Sequence, residues 1–177
     1  MQAQKCSAIT SLSAFGAAVC LAAAAASPVF AQQKSGDATK QIVGMWKLQS
    51  VTNTKDGVTK AGSSFGPTPA GRLVFSASGN YVSFNTNPNL PKIASGNRAS
   101  GTADENKAIV QGSIGGMGTY TISPDGKTLT MRQESGSFPN RNGQEEKRPL
   151  SISGDEMKYT TAATVGGTSE LIYQRMK

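Results

Sequence analysis

The side chains best able to do chemistry here are tyrosine, arginine and glutamate, because the 177 residues contain no histidine. Without imidazole neither a Ser-His-Asp nor a Cys-His nucleophilic site can be assembled, nor a metal site that needs nitrogen ligands. What remains is anchoring or acid-base chemistry by phenol, guanidinium and carboxylate. Tyr81, Tyr120, Tyr159 and Tyr173 each fall in a strand-like run, where a phenol packs its ring and offers one hydrogen bond; for each alone, packing is the commoner role. In KTLTMRQE, alternation groups Leu129, Met131 and Gln133 on an apolar face and Thr128, Thr130, Arg132 and Glu134 on a solvated one. In the opposite register Arg132 would point inward and anchor an anionic ligand.

The segment SFPNRNGQEEKR admits two readings. As a turn it is an Asn-Gly corner with a solvated charge run, and a structural brace is the favoured role. As a site, Phe138, Asn140 and Arg148 would line or fix the mouth of a pocket and meet a ligand's polar end. Glu145 and Glu146 point to opposite sides of an extended chain and so make no carboxylate pair. Asp104 and Glu105 belong to a helix start. No cofactor and no metal is expected.

The elements that must position these residues are short strands. Gly numbers 20 residues and aromatics reach only 6%, a balance that suits hairpins better than long amphipathic helices. IVGMWKLQSVTN alternates Gly44, Trp46, Leu48 and Ser50 against Met45, Lys47, Gln49 and Val51, then meets the turn Asp56-Gly57. After a loose stretch, GRLVFS and YVSFNTN form a second hairpin. Residues 88–101 read as a loop, long enough in so small a domain to be functional. Thr102 to Glu105 form a capping box that starts a helix of about two turns through NKAIVQ; the competing reading is a strand through KAIVQGSI. Three further hairpin signals then organise MGTYTIS, KTLTMRQE, KRPLSIS, EMKYTTA and TSELIYQRM. This predicts an all-β, antiparallel, up-and-down meander of about eight strands with one short helix. Closing it into a barrel removes both edges, at a size where the interior holds one small ligand.

Residues 1–31 have the anatomy of a signal peptide: Lys5, an apolar run from Ala14 to Ala26, and a small-residue end at Val29-Phe30-Ala31. The run is shorter than the roughly 20 residues a spanning helix needs. The alternative is an uncleaved anchor; lipidation at Cys20 is disfavoured because Val19 precedes it. Cleavage implies a periplasmic or secreted protein with no stable membrane span, and residues 32–41 read as a flexible leader before a domain over 42–177. It also takes away Lys5, Cys6 and Cys20 and no acid, so 17 of the 18 basic residues face all 11 acids, a net charge of +6. Thiol and iron-sulfur chemistry are thereby excluded. The basic residues are dispersed, with no run longer than two, so nucleic-acid binding is not expected.

At Gly44-Met45-Trp46 the first strand carries Gly-x-Trp, and the last ends at Arg175. The pair resembles the lipocalin and calycin pattern, and the resemblance implies that Trp46 closes the barrel floor with Arg175 packed across its indole. ENKAIVQGSI, GTYTIS and SGSFPNRNGQEEKR, within residues 101–148, are similar to bacterial lipocalin-like domain proteins, a resemblance extending over about 41–176. It implies a calycin-type barrel and no particular reaction. Disulfide cysteines and a long helix after the last strands, features of other lipocalins, are lacking. The expected ligand is a small apolar or amphipathic molecule, anionic if an arginine faces it, with the loop of 88–101 over the open end. Tyr81, Tyr120, Arg132, Phe138, Asn140 and Arg148 are the candidate contacts. Two alternatives stand beside binding: an isomerase, cyclase or hydratase using Tyr, Arg or Glu, and an envelope interaction protein with a packed core.

Overall fold

The computed structural model describes residues 35–62, 64–163 and 166–177; the export signal expected over residues 1–31 lies outside the described residues. Nine strands form one antiparallel sheet: β1 (Gly44–Lys55), β2 (Val58–Ala61), β3 (Ala70–Phe75), β4 (Asn80–Thr86), β5 (Ser113–Ile122), β6 (Thr128–Gly136), β7 (Glu145–Ser153), β8 (Glu156–Ala162) and β9 (Thr168–Arg175). A helix α1 (Ser35–Ile42) precedes them and α2 (Ala103–Gly112) lies between β4 and β5. β1 pairs with β3, each later strand pairs with the next, and β9 pairs back onto β1, so eight strands close into an up-and-down barrel. β2 is the extra ninth. It follows from the Asp56-Gly57 turn, whose two residues both have positive φ, 50° and 75°, as a tight hairpin with right-twisted strands requires.

Alternation carries Leu73 and Phe75, Leu129 and Met131, Leu150 and Ile152, Met157 and Tyr159, and Leu171 and Tyr173 into the interior. β1 departs from the strict two-residue period. Trp46 and Leu48 point inward, but a bulge opposite β9 between Leu48 and Ser50 reverses the phase, so Val51 is buried and Ser50 only half-buried. One extra residue in a strand has that effect, and composition gives no sign of it. A second irregularity lies at Met117 and Gly118, where β5 presses against β6. A Cβ at Gly118 would fall 2.0 Å from the Arg132 carbonyl oxygen, so the close approach requires glycine.

Residues 32–41, expected as a flexible leader, are helical from Ser35 onward. Ala38 and Ile42, four residues apart, are buried on one face of α1, and Ile42 joins the core beside Trp46. Two apolar residues are too few to show as a helical period, yet enough to fill the end of a barrel. α2 starts as its capping box dictates: Thr102 Oγ1 accepts from Glu105 N at 3.3 Å, and Glu105 Oε2 accepts from Thr102 N at 2.7 Å. β5 begins directly after it at Ser113, four residues before the expected MGTYTIS, because Gly115 and Gly116 carry no side chain to show alternation. Among the described residues no helix is long and apolar enough to cross a membrane.

Candidate functional site: a polar chamber in the barrel mouth

The interior has two unlike ends. At the floor, where β1 starts and β9 finishes, Trp46 and Arg175 are register partners. The guanidinium carbon of Arg175 lies 4.2 Å from the centroid of the Trp46 ring. Arg175 Nη1 donates to Val43 O at 3.0 Å and Nη2 to Gln41 O, while Trp46 Nε1 donates to Ile42 O at 2.7 Å. These bonds tie the last strand, the first strand and α1 together and satisfy every polar group the indole brings inside. Leu73, Leu129 and Met157 complete the packing there with no exposure at all.

Toward the opposite end the inward positions turn polar. On β7, Glu146 and Arg148 share the inner face with Leu150 and Ile152. Arg148 Nε and Nη2 donate to Glu146 Oε2 at 3.2 and 2.8 Å, Nη1 donates to Met131 Sδ at 3.0 Å, and the guanidinium carbon lies 5.1 Å from the centroid of the Tyr159 ring. The second oxygen of Glu146 accepts from Thr161 Oγ1 and, at 2.8 Å, from Ala162 N. Burial works to raise the pKa of Glu146, but the Arg148 charge and these hydrogen bonds outweigh it and hold the carboxyl below the ordinary glutamate range. Beneath this pair Tyr159 and Tyr173 stack at 5.6 Å with hydroxyls 3.3 Å apart, and Asn85 Nδ2 donates to the Tyr173 hydroxyl at 3.3 Å. Burial, then the neighbouring Tyr159, raises the Tyr173 phenol well above its usual value.

Above this network the barrel is hollow. An inner chamber of about 90 Å³ is walled by Val51, Tyr81, Met131, Arg148, Tyr159 and Leu171 among others. An outer one of about 170 Å³ shares Tyr81, Met131, Gln133, Arg141 and Arg148 with it. Outside, a groove of about 420 Å³ runs along Phe65, Val110, Ile114 and Phe138 and adjoins the inner chamber through Phe65 and Ile114.

Of the six candidate contacts, the mouth gathers two. Tyr81 and Arg148 line both chambers, and burial raises the Tyr81 phenol pKa against the opposing Arg148 charge. Phe138 lies in the outer groove. Asn140 stands exposed on the single-turn helix Pro139–Arg141 and lines none of the three cavities. Tyr120 is not at the mouth: its ring meets Phe75 edge-on at 4.6 Å and its hydroxyl donates to Ser76 O at 2.8 Å, which places it in the floor. Arg132 is exposed on the outer face, where the apolar alternation of β6 puts it. The loop of 88–101, expected over the open end, contributes nothing to the three cavities; the end of α2 and Phe65 take that place. Glu146, Thr161, Arg141 and Asn85 are the site residues that sequence reasoning left out. The β7 alternation through Arg148, Leu150 and Ile152 was the signal that could have found Glu146. Among the described residues no three acidic or thiol side chains come together to hold a metal ion.

A closed antiparallel barrel of eight strands is of a size at which the interior can hold one small ligand. The sequence profile of the lipocalin-like domain matches residues 43–172, and the chain belongs to that family. The lipocalin-like barrel supports small-molecule binding in general. Similar solved structures are a redesigned β-barrel (16% identity, TM-score 0.42, covering 79% of this chain and 96% of that one) and an uncharacterized protein from Bacteroides eggerthii (13%, 0.40, 76% and 99%). A mutant of the fluorescent protein UnaG is a third (11%, 0.35, 77% and 96%). A search of curated proteins returned no match.

Proposed function

We propose that this is an exported barrel, periplasmic or secreted, that binds a small and mostly apolar molecule in the hollow end of its interior. The observation that carries the reading is the division of the barrel. Trp46, Leu73, Phe75 and Leu129 fill the floor completely, whereas the mouth keeps open chambers in which apolar side chains such as Val51, Met131 and Leu171 stand beside polar ones such as Tyr81, Arg148 and Thr161. Export rests on the signal anatomy of residues 1–31. The enzyme alternative needs an available acid or base, and Glu146 is the inward carboxylate. Each of its oxygens already accepts two donors and its pKa is held low, which favours a fixed counter-ion over a proton carrier.

One observation favours the envelope-interaction reading. Met45, Val74, Val82 and Met117 are successive register partners on the outer face of β1, β3, β4 and β5, and Met45, Val82 and Met117 are exposed by 43, 56 and 51%. Such a row is wider than the single apolar residues of an ordinary surface. Native mass spectrometry of protein purified from its own compartment, followed by solvent extraction, separates the readings. A released small molecule in about one-to-one ratio is expected; a ligand-free mass with nothing extractable overturns the binding function.

A further inference from the structure

The inner chamber has two charged side chains in its lining, Arg141 and Arg148, and no acid. Arg148 is the more deeply set, its side chain only 11% exposed. Of the five N–H groups of a guanidinium, two go to Glu146 and one to the sulfur of Met131, a weak acceptor. The described residues offer no acceptor for the two that remain on the terminal nitrogens. A buried cation with donors left over, and a thioether where an oxygen would bond better, is a place that suits an anion. Glu146 does not occupy it. Both its oxygens are engaged behind Arg148, and it borders the outer chamber but not the inner.

Charge fixes the valence. Glu146 neutralises Arg148, while half-buried Arg141 donates through Nη2 to Ala162 O at 2.9 Å and has no acid within ion-pair distance among the described residues. Arg141 therefore faces the inner chamber without an ion-pair partner, and the other acid of the mouth, Glu145, borders only the outer chamber. The lining fixes the orientation. The guanidinium groups of Arg148 and Arg141 stand in the inner chamber. From it Phe65 and Ile114 lead to the groove flanked by Val110 and Phe138, which offers apolar side chains to the rest of a ligand.

We infer, resting on the interior-binding function above, that the ligand is an amphipathic monoanion: a carboxylate on an apolar chain or ring. It binds head-inward on Arg148 and Arg141, with its apolar part running past Phe65 and Ile114 toward Phe138. Isothermal titration calorimetry of the purified protein with decanoate and with decanol tests this. Decanoate is expected to bind at least about tenfold tighter, the worth of one charge-assisted contact. The double variant Arg148→Gln with Glu146→Gln keeps the net charge and strands no buried carboxylate; it should bring decanoate down to the decanol affinity. Arg141→Gln should weaken decanoate by about threefold, and Arg132→Gln on the outer face should leave the preference as it was. Equal affinities for the two probes, or a preference that survives both mouth variants in folded protein, overturn the monoanion inference and leave the apolar-ligand function standing. If neither probe binds, the inference falls, and native mass spectrometry then decides whether the function falls with it.

Discussion

The two ends of this barrel each set an arginine over an aromatic ring, and they use it differently. At the floor, Arg175 covers Trp46 and gives two of its terminal N–H groups to backbone carbonyls of the preceding segment, Val43 and Gln41. Its surroundings are fully packed, and its charge is met by Asp155, 3.5 Å away and partly in solvent. In the mouth, Arg148 faces Tyr159, pairs with an inward Glu146 and is left beside empty space. Backbone carbonyls cannot move without moving the strands, so the floor arginine is a clasp. A side-chain carboxylate and a thioether can yield to a ligand's oxygen, so the mouth arginine is available for recognition. The same residue type closes one end and equips the other because of what its donors meet.

The largest expected effect breaks the floor. Trp46→Ala removes a side chain with no exposure and should cost about 3–5 kcal/mol in urea-induced unfolding, by cavity formation and loss of the Arg175 contact. A loss below about 1 kcal/mol would falsify the floor as the principal closure. Next is the mouth pair. Arg148→Ala leaves Glu146 buried without its cation and should cost about 3 kcal/mol, whereas Arg148→Gln with Glu146→Gln should stay within about 1 kcal/mol of the parent. If single and double variants lose the same amount, the pair contributes no coupling.

Acid sharpens the contrast further. The folded-state pKa of Glu146 is depressed, so its contribution to stability is present above the ordinary glutamate range and is lost as pH falls through its folded value. The double variant should lack that part of the acid-induced loss, measured as the difference in unfolding free energy across the acid range; identical profiles would count against it. Smaller still is Tyr173→Phe, which removes the hydroxyl shared by Tyr159 and Asn85 and should cost about 1 kcal/mol at the boundary between floor and mouth. A neutral outcome there would mean the tyrosine network is slack.

Much of the barrel was legible because hairpins are local. Asp56-Gly57, Asp125-Gly126 and Gly154-Asp155 mark turns by their own conformational preferences, and alternation between them assigns faces strand by strand. The capping box at Thr102 marked α2 for the same reason, since its donors and acceptors lie within four residues. Trp46 and Arg175 became meaningful as the first and last strands of a closed sheet. Three things were hidden. The bulge after Leu48 and the pressed contact at Gly118 depend on the partner strand, and α1 shows only two apolar residues. For the site, Tyr81 and Arg148 stood out by type, while Tyr120 looked equivalent to Tyr81. Both lie on inward faces, and only their height along the barrel axis separates floor from mouth.

The sequence by itself determined the eight strands of the barrel though not the extra β2, the capped helix, the absence of imidazole chemistry and the side of β6 on which Arg132 stands, because each follows from residue type and short-range spacing. The tertiary structure alone decided that β9 closes onto β1, that α1 belongs to the floor, and that Met131 meets Arg148 and Thr161 meets Glu146 from neighbouring strands beside an open chamber. These are contacts between different elements of the chain. Their distances are set by register, bulges and barrel closure, quantities that no single segment encodes.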